Sequence, residues 1–236
     1  MSSVTAIPIA SLLLGFVPVL LLIVIMRAWG LNALQAMYAN IRMLVQLLLI
    51  GYVLTYIFET DEPMLVVLVV IFMIAMSSWI ALRPLIDRGI KPYSIVVIAI
   101  GVSGLGVLLL VTQIILELPR WYEPRFVIPL AGMIFANSMN TISLAGERFH
   151  AERERGEDYL SARRTAMEAA MIPQVNALLA VGLVSLPGMM TGQILSGVEP
   201  LIAARYQIMV MCMIFSTAGI AAVIYMALKK NSATDG

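Results

Sequence analysis

Apolar residues in this chain come in long blocks rather than at the alternating spacing of a half-buried helix or strand. Seven blocks approach the roughly 20 residues that a helix needs to cross a bilayer. They cover residues 7–26, 43–58, 64–82, 94–116, 126–144, 172–190 and 204–228. Polar and charged positions gather between them, most densely at 147–170, ERFHAERERGEDYLSARRTAMEAA. A helix satisfies its own backbone in hydrocarbon, so the pattern predicts an all-α polytopic membrane bundle of about seven transmembrane helices. It predicts a single membrane domain over residues 1–236, with a helical loop at 147–171.

The sixth block is interrupted. Residues 183–197 read LVSLPGMMTGQILSG, with Pro187, Gly188, Gly192 and Gly197 where a span would run on. Freed backbone groups are tolerated at membrane depth only inside protein or along a water-filled path. Pro187, Gly188 and Gly192 are therefore expected to form a gate or bend near the outer end of this span. The alternative is that Gly188 and Gly192, four residues apart, form a small-residue packing face.

At 61% hydrophobic and 12% charged, with a mean hydropathy of +0.96, the 236 residues exceed what one soluble core can hide. A net charge of +1 gives no reason to expect a polyanionic partner, so nucleic acid is not expected. The single Cys212 excludes a disulfide framework or thiolate cluster, and the single His150 excludes a multi-histidine metal site. In a seven-helix threading, Arg27, Arg42, Arg83, Arg88, Lys91, Arg148, Arg153, Arg155, Arg163, Arg164, Lys229 and Lys230 fall on one side. Those are 12 of the 15 Lys and Arg, against Arg120, Arg125 and Arg205 on the other. Basic residues mark the cytoplasmic side, so the N-terminus is expected outside and the C-terminus inside. No basic segment precedes the first block and Arg27 follows it, as in an anchored helix rather than a signal peptide.

Polar side chains inside the apolar blocks are costly in lipid and must face other helices or a polar path. Asn137 and Asn140 share a helix face at i,i+3, and Gln46, Gln113, Gln174, Asn176 and Gln193 are further cases. Each is either interhelical glue or path lining. Among the 17 Met, Met189 and Met190 lie in the interrupted block, where a soft thioether can meet a substrate. The expected substrate path is thus Gln46, Asn137, Asn140, Met189, Met190, Thr191 and Gln193, with the metal ligands themselves unknown. Gly101-Val102-Ser103-Gly104 resembles the serine motif of rhomboid-type proteases, but His150 lies in the charged loop and no base is available, so helix packing is the reading. No zinc-protease motif and no phosphate-binding loop occurs, so any ATP must be used by another chain. The loop itself is either a solvated connector or a docking element, for which Glu157, Asp158, Arg163 and Arg164 are the candidate contacts.

Three runs carry a resemblance to a known family. Arg42, Gln46-Leu47, Gly51 and Leu54 match an Arg-x3-Gln-Leu-x3-Gly-x2-Leu pattern. Pro124, Arg125 and IPLAGMI at 128–134 precede Asn137-Ser138-Met139-Asn140, and VGLVSLPGMMTGQ at 181–193 continues to Ala204-Arg205-Tyr206-Gln207-Ile208. Over about Arg42 to Tyr225 the chain resembles the FetB/YbbM (UPF0014) family of membrane permeases. The resemblance implies the permease subunit of an ABC transporter, in bacteria an iron exporter linked to oxidative-stress resistance and metal homeostasis. It implies a permease homodimer in the bacterial inner membrane, in contact with lipid, moving a metal ion, and paired with a FetA-like ATPase. This chain would bind no cofactor and catalyse nothing itself; the ATPase subunit would use the ATP. The plant branch of the family leaves a nucleotide sugar as another substrate class, and a stand-alone channel or secondary transporter is the other class of function. One departure is that residues 156–171 lack the Ala-Leu-Gly-Ala-(Ser/Thr) element of the family's longer loop. Glu168-Ala169-Ala170 is similar to the loop signature of ABC importers but lacks its downstream glycine.

Overall fold

A computed structural model describes residues 7–59, 62–85 and 89–234. Its contacts divide the chain after Asp61 into two compact units.

The first unit holds α1 (Ile9–Leu14), α2 (Val17–Ala28) and α3 (Ala33–Glu59). Pro18 sits in the first turn of α2, where its missing N–H leaves no partner unmet. The Gly15 N–H closes on Leu12 O at 3.1 Å, so α1 and α2 follow each other as one apolar stretch with a bend. Asn32 Oδ1 accepts the Gln35 N–H at 3.0 Å and starts α3 as an N-cap. Within this unit no residue of α2 is buried, and side chains such as Leu21 and Val24 stand outward, as on a helix made for lipid.

The second unit is built around α6 (Pro124–Glu154), with α4 (Pro63–Ala81), α5 (Ile90–Leu109), α7 (Tyr159–Ala180), α8 (Gly188–Leu195) and α9 (Pro200–Thr234). Residues Leu110–Ile115 continue α5 as a π-helical turn. Close approach of the helices is set by small residues. A Cβ on Gly104 would lie 2.5 Å from Phe135 Cε1, and one on Gly146 would lie 2.8 Å from Leu85 and 3.0 Å from the Tyr225 hydroxyl. Side-chain hydrogen bonds then fix register. Ser143 donates to Ala81 O at 2.9 Å between α6 and α4, and Tyr93 to Ala75 O at 3.2 Å between α5 and α4. Gln174 Nε2 donates to Thr141 Oγ1 at 3.2 Å between α7 and α6, and Tyr159 to Met226 O at 2.8 Å between α7 and α9. The α6–α7 turn is made by Gly156 at φ +90°, which a side chain would strain, and by Asp158, whose carboxylate caps α7 through the Ser161 N–H at 2.7 Å.

Six helices among the described residues are long and apolar enough to cross a bilayer: Ala10–Ala28, Ala33–Glu59, Pro63–Ala81, Ile90–Ile115, Pro124–Glu154 and Pro200–Lys230. The chain is a polytopic, multi-pass helical membrane protein. The expected span at 172–190 differs. There α7 stops at Ala180, residues 181–187 are non-helical apart from an isolated bridge between Val181 and Ser185, and α8 begins at Gly188. The 147–171 segment is helical as expected, forming the end of α6, the turn and the first half of α7.

Candidate functional site

The register of α7 on α6 sets the depth of the break. Gln174 faces Thr141, and six further residues carry α7 about 9 Å beyond that contact, so antiparallel α7 ends level with Phe135. Phe135 is the middle of the apolar stretch 126–144. α9 runs the other way, with Tyr225 beside Gly146, so its start at Pro200 lies at the far end of the bundle from the α6–α7 turn. Residues 181–187 and α8 therefore carry the chain from the level of Phe135 toward the start of α9. The break lies level with the middle of the α6 apolar stretch; its non-helical residues are 181–187, and Gly188 and Gly192 lie within α8.

The reason is local. Gly182 at φ +80° ends the α7 ladder: its N–H bonds Ser185 O at 2.9 Å, while Leu183, Val184 and Ser185 all donate to Ala180 O. Among the described residues, no backbone N–H then donates to the carbonyls of Leu178 and Leu179. Carbonyls at a helix C-terminus carry partial negative charge, and in hydrocarbon they need a donor or a cation. Pro187 is the N-cap of α8, a position it tolerates, and Gly188 and Gly192 are helical. A Cβ at Gly188 or Gly192 would meet nothing within 4 Å, so neither packs against another helix of this chain.

The expected path residues fall into separate groups. Met189, Met190, Thr191 and Gln193 are half-buried on α8, Thr191 donating to Pro187 O at 3.1 Å and Gln193 holding a buried Oε1 with no partner among the described residues. On α6, Asn137 is half-buried and spends its Nδ2 on Met133 O at 2.9 Å. Asn140 is exposed in a stripe with Pro129, Ala136, Leu144 and Glu147, lying between Thr141, which meets α7, and Ser143, which meets α4. Gln46 belongs to the first unit, where its amide oxygen faces the Arg42 guanidinium at 3.1 Å. Of the other polar candidates, Gln174 is interhelical glue, Gln113 bonds its neighbour Thr112 at 3.2 Å, and Asn176 is exposed. Ser103 is buried and bonds back to Ala99 O at 2.6 Å, and Gly104 packs on Phe135, which is helix packing and no protease site.

At the α6–α7 turn, Glu157 and Asp158 are exposed at the tip. The Ser161 amide holds the Asp158 carboxyl below its ordinary range. Arg164 pairs with Glu168 at 2.9 Å, whereas Arg163 stands over the Tyr159 ring at 5.7 Å. Glu152 is buried and takes Arg148 at 2.7 Å and Arg155 at 3.0 Å. On the α4 side a cavity of about 190 Å³ is lined by Pro84, Leu85, Glu147, His150, Glu154 and Lys229, with His150 Nε2 3.1 Å from Glu154. No group of three or more His, Cys, Asp or Glu among the described residues is arranged to hold a metal ion.

A family described as "Uncharacterised protein family (UPF0014)" matches residues 9–163 and 158–233. The chain belongs to the UPF0014 family. Among similar UPF0014 relatives, "UPF0014 membrane protein slr1647" of Synechocystis is 35% identical over 86% of each chain. "Probable iron export permease protein FetB" of Escherichia coli is 35% identical over 80% of this chain and 78% of that one. "UPF0014 membrane protein YjkA" of Bacillus subtilis is 36% identical over 80% of each. No solved structure matches.

For this UPF0014 chain, the sequence offered Gln207 only as part of the 204–208 run, and its burial is visible in the structure alone. It is 5% exposed on α9 and its Oε1 has no hydrogen-bond partner among the described residues, as is true of the Ser78 and Ser138 hydroxyls inside the same unit. Buried polar atoms are rarely left so, which marks these positions as ones the fold does not explain by itself. Only the stripe that Gln207 shares with Ala203 and Val210 exposes its burial, and that stripe is visible once the helix is known.

Proposed function

We propose that this chain is the membrane permease subunit of an ABC transporter of the bacterial inner membrane, exporting iron or a related metal cation with ATP hydrolysed by a separate subunit. The observation that carries the reading is the helix break level with the middle of the α6 apolar stretch, with the Leu178 and Leu179 carbonyls released from the helix ladder. Broken helices of this kind serve transport, where unwound carbonyls and helix C-termini hold cations in passing. The half-buried Met189, Met190, Thr191 and Gln193 on α8 and the Asn137–Asn140 face of α6 supply further uncharged donors. No mid-span carboxylate joins them, so an ion would be held loosely and released quickly. The name of the E. coli relative supports iron and export. In this reading the ATPase grips the turn through Glu157, Asp158 and Arg164, and two permeases assemble with two ATPases. Hairpin movement then reaches α9 through the Tyr159–Met226 bond.

The test is ATP-dependent iron flux into vesicles holding the permease with the ATPase that co-purifies from its native membrane. Gly188→Leu and Gly192→Leu add side chains into open space, so the permease should fold and bind its ATPase while flux falls at least about tenfold. Unchanged flux in both variants, or full flux from the permease alone without ATP, overturns the proposal.

A further inference from the structure

The cations around the α6–α7 turn are not used alike. Arg148 and Arg155 are tied to Glu152, Arg164 to Glu168, and Arg153 to the Glu157 carbonyl at 2.8 Å. Arg163 on α7 and Lys230 on α9 are exposed and form no ion pair among the described residues; both instead converge on one ring, at 5.7 and 5.6 Å from the Tyr159 centroid. That ring is held in place by its hydroxyl on Met226 O and by edge-on contact with Phe149 at 5.7 Å. The opposite, α4-facing side of the same end carries both signs, Glu147 and Glu154 together with Lys229 and His150.

What lies beneath the cations decides the ligand. Ile220, Val223 and Ala227 are exposed on α9 at the i, i+3 and i+7 positions of a stripe that ends in Lys230 at i+10. Lys230 closes the apolar stretch of α9, where the helix leaves the hydrocarbon. A charged clamp above an apolar track fits an amphipathic anion, one phosphate with its acyl chain alongside. A soluble anion would gain nothing from the track, and an acidic protein surface would not reach down it.

We propose that Arg163, Lys230 and the Tyr159 ring form a site for the headgroup phosphate of an anionic phospholipid, with its acyl chain on the Ile220–Val223–Ala227 stripe. The site lies in whichever leaflet adjoins the turn and is independent of the transported substrate.

Native mass spectrometry of the intact permease released from vesicles of phosphatidylglycerol and phosphatidylcholine with matched chains tests it. The expected result is retention of phosphatidylglycerol about tenfold over phosphatidylcholine. That preference should vanish in Arg163→Gln with Lys230→Gln, shrink in Lys230→Gln alone, and persist in Arg164→Gln, whose arginine is already paired. Equal retention of the two lipids, or an unchanged preference in the double variant, overturns the site. Displacement of the lipid by millimolar inorganic phosphate would show an anion site that does not read the chain, and overturns the lipid assignment. So does loss of ATPase co-purification in the double variant with lipid preference intact, which would make the cations a protein contact.

Discussion

A single residue fixes where α7 begins. Asp158 caps the helix through the Ser161 N–H at 2.7 Å, and that hydrogen bond is the main cause that lowers its pKa below the ordinary 3.8. A carboxyl whose folded pKa is depressed stabilises the fold above its unfolded pKa and loses that contribution as pH falls through the folded value. Asp158→Ala should therefore lower the thermal midpoint of the purified permease at pH 7, and the gap to the parent protein should narrow below about pH 4. Asp158→Asn keeps a capping oxygen without the charge, and its midpoint should show none of that dependence relative to the alanine variant. A gap that is as wide at pH 3 as at pH 7 would mean that the ionised cap does not stabilise α7. The effect will be small, because the group is fully exposed. Its value lies in locating the turn on which the proposed ATPase contact depends.

Pairs of helices carry the next level of information. Gln174 and Thr141 are the buried bond between α7 and α6, and the Thr141 hydroxyl donates onward to Asn137 O at 2.9 Å. Gln174→Leu should destabilise by about 1 kcal/mol, and a cycle with Thr141→Val should show a coupling of about 0.6 kcal/mol, the usual scale for such bonds in membranes. Iron flux should survive in Gln174→Leu, since the side chain holds helices and lines no path; lost flux with unchanged stability would reverse that assignment. Helix length and apolarity were readable for the six candidate spans, because membrane depth dictates both. Placement of the break was not. Pro187, Gly188 and Gly192 advertise an interruption, yet proline suits the start of α8 and its eight residues accommodate both glycines, while the turn is made by Gly182 within an unremarkable AVGLV run. The Gln174–Thr141 pairing joins residues 33 apart, and no periodicity within either helix reveals it. Gln207 escaped for the same reason, since its burial depends on which face of α9 the bundle covers.

At the scale of the whole molecule, the broken segment decides how many times the chain crosses the membrane. The end of α4, the α6–α7 turn and the end of α9 meet at one end of the second unit, through the cavity that joins Leu85, His150 and Lys229. α6 arrives there and α9 arrives there, so α7 and α8 must return the chain to the far end between them. In the transport proposal this adds a broken passage to the six long apolar helices, and it predicts Glu157 and Glu199 on opposite sides of the membrane. The distribution of basic residues predicts that Glu157 faces the cytoplasm. In a Cys212→Ala background, Glu199→Cys should react with a membrane-impermeant maleimide on intact cells, and Glu157→Cys should react only after permeabilisation. Both positions are exposed, so a failure to label reports sidedness rather than burial. Reaction of both from outside would mean that α7 and α8 turn back within one leaflet, which removes the broken crossing on which the transport proposal rests. Reaction of Glu157→Cys alone would keep the crossing and invert the protein, moving the turn away from any cytoplasmic ATPase.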